Sequence, residues 1–326
     1  MISRVLRALE QLEKNQIPVY FVAVIVAAIG GLLAPDASQA LGALVTPAIA
    51  VLMYAMFLQI PFLDLRKGLA NKRFMTALLT ANFVAIPLLV WALTMGLADH
   101  PAILVGALLV LLTPCIDYVV VFTHIGKGDS KLTLAATPLL LVLQLVLLPL
   151  YLAFMVSDDS AVVISVGPFV EAFVVLIALP LVLAVATAAG AKGSRIVEGW
   201  NNVWAWMPVP AMAAVLVVVI GSQISTVVRD MDKLLPVIPV YIGFMLLAPV
   251  VGALVARAFK LPASTARSVA FSSSTRNSLV VLPLALALPE EIRGLAAAAV
   301  ITQTLIELVS ELIYIRAIPA LVWRKM

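Results

Sequence analysis

The sequence predicts an all-α membrane protein that crosses the bilayer ten times, as two inverted repeats of five helices. Three observations lead to this fold class. Of the 326 residues, 63% are hydrophobic and only 12% are charged, whereas soluble globular chains carry about 25% charged residues. Apolar runs long enough to span a bilayer recur along the whole chain. Two of these runs, one in each half, are interrupted by polar residues at corresponding places.

The predicted spans are ten apolar runs separated by polar gaps. A helix needs about 20 mostly apolar residues to cross a bilayer. The runs cover residues 17–33, 41–61, 74–96, 102–124, 132–156, 162–189, 202–224, 235–258, 266–288 and 295–322. Before them, residues 1–16 place Ile2, Val5 and Leu9 at helical spacing, which predicts an amphipathic segment on the membrane surface.

Basic residues in the gaps predict the orientation. With the N-terminus inside, 17 of the 21 Lys and Arg residues fall in cytoplasmic loops and adjoining span ends. Cytoplasmic loops of membrane proteins carry such an excess. We therefore expect a multi-pass protein of the cytoplasmic (inner) cell membrane with both termini in the cytoplasm. No Lys/Arg-rich block is present, so a nucleic-acid partner is not expected.

Five crossings in each half require that the two halves have opposite orientations. This inverted-repeat architecture is typical of secondary transporters. We assign residues 17–156 to the first repeat and residues 157–326 to the second. Three pairs of positions give weak internal support: Pro47 and Pro208, 161 apart, Pro87 and Pro249, 162 apart, and Pro114 and Arg276, also 162 apart.

The two interrupted runs are span 4 and span 9, the fourth span of each repeat. Span 4 is broken at residues 113–117, where Pro114 removes a backbone donor. Span 9 is broken at residues 272–278, which are seven polar residues at mid-depth. Matched interruptions predict a solute site near the midplane, where the broken helices cross. The alternative is a proline kink together with a Ser/Thr-rich contact face.

Charged residues within the spans are the next candidates. Asp117 and Arg276 would each cost about 2.5–3.5 kcal/mol at the centre of a spanning helix, so we predict that they pair where the broken helices cross. The pair could be a fixed tie or part of the coupling machinery, or Arg276 could bind an anionic substrate. Glu307 and Glu311 lie one turn apart on one face of span 10. Acidic residues within spans recur in proton relays.

Cys115 is the single cysteine of the chain and directly follows Pro114. One cysteine excludes an internal disulfide and every multi-cysteine metal site. No hydrolase or metalloprotease motif is present, so we expect neither an enzyme nor a cofactor. A lone cysteine is often a small buried hydrophobe. At a helix break, its sulfur is instead a soft ligand for a thiophilic solute.

Several segments follow the order of one known family. They are Leu52-Met53-Tyr54, residues 113–122 with Gly126-Lys127-Gly128-Asp129, Leu179-Pro180-Leu181, residues 268–277, and Leu305-Ile306-Glu307. This set resembles the arsenical-resistance arsenite exporters, a branch of the bile acid:sodium symporter superfamily. The resemblance implies crossing helices 4 and 9, a core bundle of helices 3, 4, 5, 8, 9 and 10, and a panel of helices 1, 2, 6 and 7. It also implies extrusion of trivalent arsenic, often of antimony too, usually driven by protons.

The resemblance also implies roles for single residues. The family's essential cysteine corresponds to Cys115, its helix 10 glutamate to Glu307 and one polar residue of helix 9 to Asn277. Three positions depart from the relatives. Arg276 introduces a cation, Asp117 stands where the exporters have an uncharged residue, and Ser272 replaces the acid that helps sodium-coupled relatives to bind sodium.

The expected function is therefore efflux of arsenite, with antimonite as a second solute, by alternating access and proton coupling. The predicted substrate-binding residues are Cys115, Ser274, Thr275 and Asn277. The predicted coupling residues are Asp117, Arg276 and Glu307, and Pro114 is the helix break. The alternative is transport of a small organic anion with sodium or protons, selected by Arg276 and the positive half-helix ends. The expected partners are the lipid bilayer, the solute, the coupling ion and a second copy in a homodimer.

Overall fold

A computed structural model of the chain describes residues 16–59, 71–116, 118–156, 171 and 174–322. Within these ranges the chain is helical and forms no β-strand, and its β-type pairing is limited to one isolated bridge. The predicted all-α class is confirmed. Asp117 and residues 1–15 of the predicted amphipathic segment lie outside the described residues.

The described residues form sixteen α-helices. In chain order they are α1 (Gln16–Leu33), α2 (Pro35–Ala40), α3 (Val45–Gln59), α4 (Lys72–Thr80), α5 (Ile86–Thr94), α6 (Pro101–Leu111), α7 (Val119–Ile125), α8 (Ser130–Met155), α9 (Leu179–Gly190), α10 (Arg195–Trp204), α11 (Pro208–Arg229), α12 (Met231–Leu234), α13 (Val237–Ala258), α14 (Ala263–Ser274), α15 (Ser278–Leu286) and α16 (Glu290–Leu321). A π-helical turn at Ala81–Ala85 joins α4 to α5.

Several helical stretches could cross a membrane. Among the described residues, five are long and apolar enough: Pro35–Gln59, Lys72–Leu97, Pro208–Arg229, Val237–Ala258 and Glu290–Leu321. A sixth, α8, passes the same test as a pair bent by 49° between Gln144 and Val146. Shorter apolar helices occupy Pro18–Leu33, Pro101–Leu111 and Leu179–Gly190. Described helices thus fall within every predicted span, while the number of ten crossings stays a prediction.

The helices group into two compact units. The first contains α1–α3 and α9–α11. Within it, Tyr54 of α3 links two other helices, because its hydroxyl lies 2.9 Å from Thr187 Oγ1 of α9 and accepts a hydrogen bond of 3.0 Å from Trp200 Nε1 of α10. At Gly31 of α1 a Cβ would lie 2.5 Å from the carbonyl oxygen of Gly221 in α11, so these helices touch through their backbones.

The second unit contains α4–α8 and α12–α16. Small residues let its helices approach closely. At Gly106 of α6 a Cβ would lie 2.5 Å from the carbonyl oxygen of Ala296 in α16. At Gly252 of α13 it would lie 2.9 Å from the Cα of Ala270 in α14. These contacts pack α6 on α16 and α13 on α14, and both α6 and α14 end at the interruptions predicted from the sequence.

The two interruptions arise from different local chemistry. After Leu111, Pro114 cannot donate to the carbonyl one turn earlier, so α6 cannot continue. In α14, hydroxyls compete with the backbone for carbonyls: Ser273 donates to Val269, Ser274 to Ala270 and Thr275 to Phe271, at 2.7–2.9 Å. The helix ends at Ser274 and α15 begins at Ser278. We call residues 112–116 and 275–277 the crossing.

The two segments of the crossing pair with each other. Pro114 and Arg276 form an isolated antiparallel β-bridge. The N–H of Cys115 donates to the carbonyl oxygen of Thr275 at 3.0 Å, and the N–H of Asn277 donates to that of Thr113 at 2.9 Å. The bridge therefore joins the backbones of the two interrupted spans directly, as the predicted crossing requires.

The bridge is symmetric under exchange of the two halves. A shift of 162 positions (276 minus 114) carries Cys115 to Asn277 and Thr113 to Thr275, so each bond of the bridge becomes the other. A second pair of bonds follows nearly the same shift: Tyr151 donates to the carbonyl oxygen of Phe83, and Tyr314 donates to that of Met245. Here the carbonyls lie 162 positions apart (245 minus 83) and the tyrosines 163 (314 minus 151).

Candidate solute and ion site

Cys115 lies in the crossing and is fully buried. Its N–H is held by the bridge, which fixes the backbone that carries the thiol. Asp117, two residues further on, lies outside the described residues, so its predicted pairing with Arg276 stays a prediction. The structure does place Cys115 and Arg276 on the two paired segments of the crossing.

The Arg276 guanidinium is fully buried and surrounded by oxygen acceptors. Its Nη2 donates to Asn82 Oδ1 at 3.0 Å and to the carbonyl oxygen of Ser272 at 2.6 Å, and its Nη1 lies 3.4 Å from that of Leu111. The group also lies over the Phe244 ring, 5.5 Å from the centroid, a favourable cation–π position. A buried charge needs such partners, and these hold the cation between four elements: the π-helical turn, α14, α6 and α13.

Asn82 connects span 3 to this arrangement. It sits in the π-helical turn Ala81–Ala85, and π-turns often mark functional positions. Its Oδ1 accepts from Arg276, and its Nδ2 donates to Ser272 Oγ at 3.0 Å and to the carbonyl oxygen of Leu78 at 3.1 Å. Its side chain therefore bonds to its own helix, to α14 and to the crossing at once.

Glu307 of α16 binds the crossing through its carboxyl group. Its Oε2 accepts from the N–H of Arg276 at 3.0 Å and from Gln303 Nε2, and its Oε1 lies 2.6 Å from the Tyr118 hydroxyl. The same hydroxyl lies 3.1 Å from the carbonyl oxygen of Arg276. Glu307 thus meets three donors while fully buried, an environment that suits a charged carboxylate.

The three remaining substrate-binding candidates use their side chains differently. Ser274 Oγ donates within α14, and Thr275 Oγ1 lies 2.6 Å from Glu311 Oε1. Asn277 caps α15, because its Oδ1 accepts from the N–H of Val280 at 3.3 Å. Its Nδ2 is buried and meets no acceptor among the described residues. Of these three side chains, Asn277 therefore offers the donor that is available to a solute.

Gln144 of α8 is a second buried amide with unused capacity. Neither its Oε1 nor its Nε2 meets a partner among the described residues, although the residue is 1% exposed. The helix bends beside it, since Pro149 has no N–H to donate to the carbonyl of Leu145. A shift of 163 positions (307 minus 144) makes Gln144 the counterpart of Glu307. Buried polar groups without partners are rare, which makes Gln144 a candidate contact for a polar solute.

Sequence reasoning missed two contributors to the site. Tyr118 bridges Glu307 and the crossing. The sequence feature that could have identified it is an aromatic residue with a hydroxyl group directly after the break in span 4. Phe244 was invisible in the sequence, because nothing along the chain relates an apolar residue of span 8 to Arg276. Glu311, one turn beyond Glu307, is fully buried against Thr275, whereas Arg316 further along the same helix is exposed.

Comparison with known proteins places the chain in a family. A family model described as Sodium Bile acid symporter family matches residues 46–230, which is more than half of the chain and includes Cys115. A search of curated proteins finds no match. Members of this family are membrane transporters and not enzymes, and they work in the bilayer on a small-molecule substrate with a coupling ion. The chain belongs to the sodium bile acid symporter family and is a multi-pass membrane transporter.

Proposed function

We propose that this transporter exports arsenite, with antimonite as a second solute, by proton-coupled alternating access. The observation that carries the proposal is the position of Cys115, the only thiol of the chain, buried in the bridge of the crossing. Soft sulfur ligands suit a thiophilic solute. One thiol binds such a solute reversibly, as transport requires.

The binding step exchanges ligands on arsenic. Arsenite near neutral pH is mainly an uncharged trihydroxide. The Cys115 sulfur forms a bond to arsenic, one arsenic–hydroxide bond breaks, and the departing hydroxide takes the thiol proton to leave as water. Polar groups of the crossing then hold the remaining hydroxyls. The proposed partners are Ser274, Thr275 and Asn277, and the Asn277 amide has the unused donor.

Proton coupling is assigned to Glu307 together with the Asp117–Arg276 pair. The Glu307 contacts support two proton arrangements. When Glu307 is ionised, the Tyr118 hydroxyl donates to it. When Glu307 is protonated, it donates to Tyr118, which then donates to the carbonyl oxygen of Arg276. A change of protonation therefore reaches the backbone of the crossing through one hydroxyl.

The two compact units suit the moving parts of alternating access. The described helices of the second unit are those of predicted spans 3, 4, 5, 8, 9 and 10, and those of the first unit belong to spans 1, 2, 6 and 7. We assign them as core and panel, the core carrying the crossing. The proposed setting is the inner cell membrane with both termini in the cytoplasm, and the proposed assembly is a homodimer.

The test is arsenite accumulation in everted membrane vesicles. We expect uptake by the wild-type chain under an imposed proton gradient and its loss in Cys115→Ala, which keeps a small buried side chain. Cys115→Ser is the matched control, because it retains a hydrogen-bonding group and removes only the soft ligand. Unchanged uptake by Cys115→Ala would show that the thiol does not bind the transported arsenite.

A second candidate is transport of a small organic anion with sodium or protons. It is favoured by the family match and by Arg276, whose Nε meets no acceptor among the described residues. Competition separates the candidates. An organic carboxylate should block transport under this alternative and leave arsenite flux untouched under the first. Proteoliposomes with separately imposed proton and sodium gradients identify the coupling ion.

A further inference from the structure

Glu311 and Thr275 form a second contact between α16 and the crossing. Both residues are fully buried. Thr275 Oγ1 lies 2.6 Å from Glu311 Oε1 and 2.7 Å from the carbonyl oxygen of Phe271. The other carboxyl oxygen of Glu311, Oε2, is buried without a hydrogen-bond partner among the described residues.

The number of available hydrogens decides how Thr275 Oγ1 can bond both to Glu311 Oε1 and to the carbonyl oxygen of Phe271. The Thr275 hydroxyl has one hydrogen, whereas two short contacts need two. A carbonyl oxygen only accepts, and an ionised carboxylate only accepts. Both contacts are satisfied when Glu311 carries a proton, donates to Thr275 Oγ1 and lets Thr275 donate to Phe271. An ionised Glu311 would leave one of the two contacts without a hydrogen.

The surroundings separate Glu311 from Glu307. Glu307 receives the Arg276 N–H and the Gln303 amide in addition to its hydroxyl contact. Among the described residues, the Thr275 hydroxyl is the only hydrogen-bonding partner of Glu311. A second negative charge one turn from Glu307 would also be repelled by it. The two carboxyls therefore differ in the number of N–H donors that reach them: two for Glu307 and none for Glu311 among the described residues.

Few other charged or titratable groups surround Glu311. Tyr314 lies on the same helix and donates to the carbonyl oxygen of Met245. Arg276 lies on the crossing beside Thr275, and Tyr118 precedes α7. Helices α13 and α14 carry Tyr241, which donates to the carbonyl oxygen of Ala299, and Arg267, which donates to that of Lys127. The other groups on the packed helices are Arg257 of α13, His124 of α7, and Asp232 and Lys233 of α12. Helices α6 and α15 have no ionisable side chain.

Resting on the proton coupling proposed above, we infer that Glu311 is a second proton-binding site and that Thr275 transmits its state to the crossing. Proton loss from Glu311 turns the Thr275 hydroxyl from the Phe271 carbonyl to the carboxylate. This change occurs at the last turn of α14, where the helix gives way to the crossing. In this scheme the proton passes to water when the crossing is open to one side of the membrane, and Glu311 takes up another proton from water when the crossing is open to the opposite side.

The test measures the carboxyl proton directly, without any solute. Infrared spectra of the purified protein should show the C=O band of a protonated carboxylic acid at neutral pH, shifted in D₂O and lost in Glu311→Gln. Glutamine can donate to Thr275 as the neutral acid does, so this variant should fold. Glu290→Gln, an exposed acid of the same helix, is the matched control and should keep the band. A wild-type spectrum without the band at neutral pH overturns the inference.

Flux measurements give the second readout. With arsenite as the probe, Glu311→Gln should lose most of the stimulation of flux by an imposed pH gradient. The variant should keep arsenite exchange in the absence of a gradient. Full gradient stimulation in this variant would overturn the inference. If Glu311→Gln does not fold, Thr275→Val in place of it should move the wild-type band, because the acid loses its hydroxyl acceptor. An unmoved band contradicts the assignment. The band is measured without arsenite, so failure of the arsenite proposal remains distinguishable.

Discussion

Replacing Glu307 tests whether its carboxylate holds the crossing together. In the folded protein it accepts from the Tyr118 hydroxyl, the Arg276 N–H and the Gln303 amide, all in a fully buried setting. In Glu307→Ala the Tyr118 hydroxyl can still donate to the carbonyl oxygen of Arg276, but the Arg276 N–H and the Gln303 amide lose their acceptor. A buried donor that loses its partner costs about 1–3 kcal/mol, so the sum for these two donors is about 2–6 kcal/mol. The cost of burying the carboxylate, which the variant avoids, lowers that sum.

Glu307→Gln is the matched comparison. Its oxygen can still accept from Arg276 and Gln303, and its amide can donate to Tyr118, which then donates to the Arg276 carbonyl. Only the charge assistance is lost, so we expect a cost of about 1–3 kcal/mol. The fold should survive while proton-driven transport is lost.

The assay is equilibrium unfolding in mixed micelles, followed by tryptophan fluorescence, for the wild type and both variants. The order of stability should be wild type, then Gln, then Ala. A Tyr118→Phe change combined with Glu307→Gln should show coupling between the two sites. An alanine variant within about 1 kcal/mol of the wild type would refute the reasoning, because the two donors would then not depend on Glu307.

Two further outcomes are expected. Gly252→Ala should lower the free energy of unfolding in micelles by about 1–3 kcal/mol, because its Cβ would meet the α14 backbone at 2.9 Å. Gly294→Ala is the control and should leave this free energy unchanged, because a Cβ there meets nothing within 4 Å. Equal effects of the two changes would argue against the close α13–α14 contact. Asp117→Asn should impair flux more than the same change combined with Arg276→Gln, since under the proposed pairing the single change removes the anion that balances a buried cation. Equal defects would show that the two residues do not interact.

The helix breaks could be predicted because their causes are local. Pro114 removes a donor wherever it stands in a helix, and a run of hydroxyl residues competes for carbonyls within one turn. The meeting of the two breaks could also be predicted, because corresponding breaks in inverted repeats approach the same depth. What the pattern left open was which atoms would meet there.

The partners of Arg276 and Glu307 could not be predicted for the same reason. Composition requires that buried charges find partners, but it does not say that Arg276 binds an amide of span 3 and two backbone carbonyls. Nor does it say that Glu307 accepts from a backbone N–H, which every residue offers. Glu311 shows the limit clearly, because its burial comes from packing against the crossing, and the order of residues in span 10 does not reveal that contact.

The self-matching bridge of the crossing bears on how direction arises in this transporter. Exchange of the halves returns the same two backbone bonds, so these bonds do not distinguish one half of the chain from the other. The positions that do distinguish the halves carry different side chains: Cys115 corresponds to Asn277, and Pro114 corresponds to Arg276. Any preference of the bridge for an inward-open or an outward-open state therefore comes from these unmatched side chains and not from its two backbone bonds.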